Sequence, residues 1–429
     1  MKRIIWIAPL LIALACATTP NKEIYIPQEL ASNDFNNPES DWCYDRMLAT
    51  PNVAIFWEKG FGADVAQAPE LEGKPMTVDM ANLADKLEYF YGYFADSLQF
   101  VKPGSKAEKY KMMVMLRYSL EGTAYGGDYD QQIGALWVTP GRLQDSTLNC
   151  IAHELGHSFQ SQITCDGQGE AWGGSGFFEM ASQWMLWQVN PNWVSDEAYH
   201  FDAFRTLTHK AFLHIDNIYH SPYVLEAWGE MHGKPFIAEL FRKGKIGEDP
   251  VMTYKQITGA DQEQFNDEMY GIAAKIINLD FPRTKQYTRR FAATFDTPML
   301  NADGWLMPDT AYAPENYGFD VVKLDAPKPG ESVKVQFEGL ASVAPAGYNV
   351  KDADQAGWRY GFVAIDGDGE AIYGEMNKDA NGEAVFVAPA DKELQKLFMV
   401  VMGAPKQHSI NPEPSVRHPQ WPYRIKVTA

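Results

Sequence analysis

Cysteine is scarce in this chain, with four in 429 residues. That excludes a disulfide-built scaffold. If Cys16 belongs to a leader, Cys43, Cys150 and Cys165 remain. Three thiols admit at most one disulfide, and Cys150 and Cys165 would pair only if the chain folds back between them. Basic residues are also in the minority: 37 Lys and Arg face 56 Asp and Glu, for a net charge of −19. No Lys/Arg patch stands out, which excludes nucleic acid as a partner. Long apolar runs are missing too. The longest, near the N-terminus, holds about a dozen residues, short of the roughly 20 a membrane-spanning helix needs.

What is present begins with that run. MKRIIWIAPLLIALAC has a basic start at Lys2 and Arg3, an apolar centre and a small residue before Cys16. Residues 1–16 therefore read as a lipoprotein signal peptide. The junction resembles a bacterial lipobox, in which the cysteine is lipidated and becomes the mature N-terminus. Membrane contact is then expected only through a lipid anchor on Cys16, at the bacterial cell envelope, on the outer membrane or cell surface. Plain secretion is the alternative, because Ala13 and Leu14 reverse the usual lipobox order.

Residues 17–50 are polar and rich in Asn, Pro and Ser, and read as a tether and irregular lead-in. A helix is expected where Leu83, Leu87, Phe90, Tyr91, Phe94 and Leu98 recur at helical spacing. YKMMVMLRYS and IGALWVTP read as strands, and AYGGDYDQQIG between them as a flexible lip. Mostly helical segments follow to about residue 284. Beyond an irregular bridge over 285–325, short alternating runs with turns every 8–12 residues predict a β-sandwich. The expected fold class is α+β, with a catalytic domain over 51–284 and a bridge and β-sandwich over 285–429.

The chemistry lies in NCIAHELGHSFQ, residues 149–160. A helix is expected over 145–162, with Asp145 or Ser146 as its N-cap. On it His153 and His157 lie about 40° apart, with Glu154 beside them. Leu148, Ile151, Ala152, Leu155 and Phe159 cluster on the other side. One face can anchor in a core while the other presents two imidazoles and a carboxylate. Neutral imidazoles four apart suit Zn²⁺, and Glu154 is placed to take a proton from water that the metal activates. Gly156 weakens the helix by about 1 kcal/mol relative to Ala, which suggests a close neighbour. A third ligand is needed. A histidine six residues on is excluded, since Ile163 stands there. Glu170 and Glu179 remain, and Glu179 is favoured because it starts an apolar helix, whereas Glu170 sits in a glycine-rich loop.

HELGH followed by FFEMASQW resembles the gluzincin class of zinc metallopeptidases. The resemblance implies a zincin-like domain, a small mixed sheet plus a helical lobe, with His153, His157 and Glu179 as metal ligands and Glu154 as general base. It implies that the strand near Ala135–Val138 lines the cleft and pairs with an extended peptide. It also implies an oxyanion donor from IYHSPYVLEAW, which offers Tyr219, His220 and Tyr223, with Tyr223 the first choice and His220 the second. His200, His209, His214 and His232 show no partner spacing. The function expected is hydrolysis of peptide bonds in extracytoplasmic protein or glycoprotein. The alternative is a glycan-binding surface lipoprotein whose zinc lobe is structural or inactive.

Overall fold

The computed structural model describes residues 21–174, 176–413 and 416–428. The signal peptide read over 1–16 and the anchor at Cys16 lie outside the described residues. Among the described residues no helix is long and apolar enough to cross a membrane.

The fold is α+β, with three sheets and a helical lobe. The first sheet is built from β1 (Met47–Ala49), β2 (Val53–Trp57), β3 (Met112–Leu116), β4 (Ala124–Tyr129) and β5 (Ile133–Val138), in the order β1-β2-β3-β5-β4. The central pairings β2–β3 and β3–β5 are parallel, and β4 returns antiparallel on β5. Helix α1 (Met80–Gly92) is capped by Asp79, whose carboxylate accepts from Asn82 N, and packs on one face. On the other face Phe35 and Trp42 of the lead-in close over Phe56, Met113 and Tyr129. Covered on both sides, β2 and β3 are buried along their whole length.

Two expectations change here. The strand containing Ala135–Val138, β5, is internal: β3 and β4 occupy both its edges, so it has no free edge for a peptide. The stretch read as a flexible lip is instead the edge strand β4. Its glycines suggest a loop, since glycine is a poor strand former. Close packing is what requires Gly126: a Cβ there would sit 1.8 Å from the carbonyl oxygen of Glu154. Asp130 and Gln131, both at φ 54°, make the tight β4–β5 turn.

Helix α2 (Asn149–Cys165) starts later than expected. Asp145 accepts from Thr147 N in the preceding turn, and Leu148, buried at φ 55°, delivers the chain into the helix. Helix α3 (Phe177–Val189) lies against α2, and a Cβ on Gly156 would meet Ser182 Oγ at 2.9 Å. The lost helix propensity at Gly156 is thus the condition for close contact. Ile151, Leu155 and Phe159 are fully buried, each contributing about 1.5–3 kcal/mol relative to exposure. Cys150 and Cys165 sit at opposite ends of α2, about 22 Å apart at 1.5 Å per residue. With Cys43 they are free thiols, so the fold-back that would bridge them does not occur.

Short helices α4 (Trp193–Asp196) and α5 (Ala198–Phe204) follow, then α6 (Tyr223–His232), α7 (Phe236–Lys243), α8 (Pro250–Thr258) and α9 (Gln262–Ile277). Residues 285–325, expected as an irregular bridge, hold the hairpin β6 (Met299–Ala302) and β7 (Trp305–Pro308), turned by Asp303-Gly304, and the strand β8 (Phe319–Leu324). After them come β9 (Ser332–Gly339), β10 (Trp358–Asp366), β11 (Ala371–Tyr373), β12 (Asn381–Val387), β13 (Leu394–Gly403) and β14 (Tyr423–Thr428). They form two antiparallel sheets, β11-β10-β13-β8 and β12-β9-β14-β7-β6, with Phe337, Tyr360, Met399 and Tyr423 packed between them. The far side of the four-stranded sheet joins the helical core through Val363, Phe398 and Val400. Buried Arg359 of β10 reaches Glu263 (2.9 Å) and Asp267 (2.5 Å) of α9.

Candidate metal centre

Packing the sheet and α3 onto α2 leaves the third side of α2 open, and that side carries His153, Glu154 and His157. The first turn of α3 brings Glu179 to the same place. Glu179 Oε2 lies 3.2 Å from His153 Nε2 and 3.1 Å from His157 Nε2, and the two Nε2 atoms are 3.1 Å apart. Glu170 points elsewhere, with Oε2 accepting from Ile246 N at 2.9 Å.

Hydrogen bonds on the far side of each ring settle what the three atoms offer. His153 Nδ1 is 2.9 Å from Gln183 Oε1, and His157 Nδ1 is 3.0 Å from Gln160 Oε1. The orientations of both glutamines are fixed. Gln183 Nε2 donates to the carbonyl of Tyr219 (2.9 Å), and Gln160 Nε2 donates to the carbonyl of Phe178 (3.0 Å). Both Oε1 atoms are therefore acceptors and both Nδ1 atoms carry hydrogen, so in the neutral imidazoles both Nε2 atoms carry lone pairs. Two lone pairs and a carboxylate oxygen face one another at hydrogen-bonding distance with no proton of their own to share. Such a donor set calls for a cation. A point about 1 Å off the plane of the three atoms lies about 2.1 Å from each, within the range for zinc bound by His and Glu. The residues present fit the metal.

When the imidazoles are protonated instead, they hold the same carboxylate. Burial would raise the Glu179 carboxyl, but its contacts with His153 and His157 outweigh that and hold it well below the usual carboxylate range. For His157, burial lowers the imidazole and Glu179 raises it, with a net upward shift. Burial pushes the Glu154 carboxyl up; the neighbouring imidazoles and the Gly126 N–H only partly offset this. Glu154 Oε2 accepts from Gly126 N of β4 at 2.9 Å. A carboxylate oxygen of Glu154 lies within 4.8 Å of both imidazoles. Of the two carboxylates, Glu179 has its oxygen closer to both rings and completes the triangle, and Glu154 adjoins it. Held at that distance, a carboxylate such as Glu154 could accept a proton beside a metal bound to the triangle.

The expected oxyanion donors are placed differently from one another. Tyr223 is fully buried, its ring 4.6 Å from that of Phe204, and its hydroxyl has no hydrogen-bond partner among the described residues. It is an aromatic core residue and cannot reach the site. His220 meets His200 through their Nδ1 atoms at 2.7 Å, and Gln183 and His200 both stand between it and His153. Tyr219 is the one of the three beside the triangle: its ring stacks on that of His153 at 6.3 Å, and the residue as a whole is exposed. Burial and the Glu179 carboxylate push its phenol up to about 12, so it stays protonated and able to donate. The first choice, Tyr223, is therefore wrong on geometry, and of the three candidates Tyr219 is the one beside His153.

Gln160, Gln183 and His200 also belong to the site, although the sequence did not single them out. The two glutamines were open to discovery, since Gln160 stands three residues after His157 and Gln183 four after Glu179, on the same helix faces. His200 was not, because Gln183 Nε2, 3.1 Å from His200 Nε2, belongs to a different helix. Replacing Gln183 with Leu is expected to weaken zinc binding about 10–100-fold, because His153 loses the acceptor that fixes its tautomer. Competition with a fluorescent chelator measures this, and unchanged affinity would show that Gln183 does not orient the ligand.

A family described as "Family of unknown function (DUF6055)" matches residues 16–429. No curated protein matches the chain.

Proposed function

Because the chain belongs to the DUF6055 family, whose function is unknown, we propose its activity from the site itself: a zinc-dependent metallopeptidase acting on extracytoplasmic protein or glycoprotein, tethered through Cys16. The observation that carries the reading is the triangle of His153 Nε2, His157 Nε2 and Glu179 Oε2, with sides of 3.1–3.2 Å. Its neighbours Gln160 and Gln183 leave both imidazoles as lone-pair donors.

Zinc held there would supply Lewis acidity to a carbonyl and to water. The protein's own groups supply the rest. Glu154, ionised and oriented by the Gly126 N–H, accepts the proton of the attacking water and passes it to the leaving amine. Tyr219, kept protonated, donates to the oxygen on which charge develops. An extended substrate strand lies along β4, which among the described strands pairs only with β5.

The test is zinc content by elemental analysis together with a cleavage screen on a denatured proteome, with and without chelation. The expected result is one zinc per chain and cleavage that chelation abolishes and zinc restores. Equal products in both samples would end the proposal. Full ligand binding without any cleavage would favour a glycan-binding protein instead.

A further inference from the structure

A cavity of about 240 Å³ opens directly beside the proposed metal position, sharing His153 and Tyr219 as walls. Whatever fills it is attached close to the bond being cleaved. Its lining is unusual for a pocket that would select an apolar side chain. Leu186 and Cys150 give some apolar wall, but the floor is polar, with buried Asn149, Gln183 and His200 beside Glu197. Arg142 and Tyr199 form the rim.

The floor groups already have partners. Glu197 accepts from Asn149 Nδ2 at 3.1 Å and from Trp193 Nε1 at 2.9 Å, and its other neighbour is His200 Nε2 at 3.4 Å. Gln183 is committed to His153, Tyr219 and His200. Arg142 is different. Its Nε donates to the carbonyl of Gly122 at 2.6 Å, which pins the plane of the guanidinium. Among the described residues no carboxylate pairs with its two Nη groups, in a chain with far more acidic than basic residues. Its charge reaches the walls, opposing the rise of the Cys150 thiol and the Tyr199 phenol that burial causes. A planar fork with four free N–H bonds is the geometry that receives a carboxylate bidentately.

Resting on the peptidase reading, we infer that Arg142 selects substrates carrying a carboxylate within one residue of the scissile bond, seated in the cavity beside His153. Two sources carry that group, an Asp or Glu side chain and a free C-terminal carboxylate. The neighbouring Glu197 disfavours a second acidic group deeper in the cavity, so one carboxylate at the rim is the recognised unit.

The test has a turnover arm and a binding arm. In the first, zinc-loaded protein meets peptides that vary Glu, Gln, Lys and Leu on either side of a fixed bond, each as free acid and C-terminal amide. Wild type is expected to favour a carboxylate by roughly tenfold in kcat/KM. Amidation removes that preference only if the C-terminus is its source. Arg142→Glu is expected to reverse it toward Lys, with zinc content unchanged. In the second arm, binding of the same peptides to Glu154→Gln protein is measured by calorimetry, where no turnover is required. Carboxylate peptides are expected to bind about tenfold more tightly than their Gln or amide counterparts, and Arg142→Gln added to that background is expected to erase the difference. Equal binding across the set, or a preference that survives Arg142→Glu, overturns the inference. Absent turnover with the binding preference intact overturns the peptidase reading and leaves recognition of a carboxylate by Arg142 standing.

Discussion

Glu154→Gln is expected to lower turnover about 10²–10⁴-fold while the protein keeps its zinc. The amide preserves size and shape at the end of a side chain that lies next to the ligands without being one of them. Its carbonyl oxygen can still accept from Gly126 N, the 2.9 Å contact that ties α2 to β4, so the edge strand stays in place. What disappears is a group able to take a proton. The pH profile adds a second readout. Burial sets the Glu154 carboxyl above the ordinary glutamate value. A base acts only when ionised, so wild-type turnover is expected to fall as pH drops through that raised value. The residual rate of the variant is expected to lack this acid limb. Steady-state kinetics against pH, with zinc measured on the same samples, decides it. A variant that retains most of its activity removes Glu154 from the chemistry.

The second large effect concerns Glu179. Glu179→Gln replaces the one anionic corner of the triangle with a neutral amide that also brings two hydrogens. Zinc affinity is expected to fall by more than the roughly 10–100-fold that loss of a supporting hydrogen bond costs. Glu170→Gln is the matched control, since Glu170 caps Ile246 N away from the site and its loss leaves affinity unchanged. pH bears on this variant as well. In the metal-free protein Glu179 raises His157, so protons compete with zinc for that nitrogen from a higher pH than for an ordinary histidine. Wild-type affinity is therefore expected to weaken as pH falls through the raised value. The variant loses that raising charge, so the onset moves to lower pH. Chelator competition across pH measures both, with a thermal melt to show that each variant is folded. Equal affinity in Glu179→Gln and wild type would contradict the ligand assignment.

That two imidazoles and a carboxylate share one helix face was readable because helical spacing is local information, and Glu179, set ahead of Glu170 because it starts an apolar helix, is the carboxylate that meets both rings. Four residues bring two side chains to one face, and Gly156 announced a close neighbour that proved to be Ser182. The α+β class followed from the change of periodicity along the chain. What escaped was set by contacts between distant segments. AYGGDY reads as a loop by composition, and only the backbone of α2 passing beneath Gly126 explains a glycine in an edge strand. The choice of Tyr223 over Tyr219 failed because four residues separate opposite environments: one side chain faces Trp187 and Phe204 in the core, the other the ligands. The hairpin at Asp303-Gly304 did carry a turn signal, but its strands are four residues each, too short for alternation to show.

X-ray absorption at the zinc edge, on protein purified and loaded with one equivalent of zinc, tests the convergence of these side chains most directly. The expected result is a first shell of nitrogen and oxygen at about 2.0–2.2 Å, with the outer-ring scattering of two imidazoles. A sulfur shell near 2.3 Å, a shell without imidazole, or no tightly held zinc would contradict it.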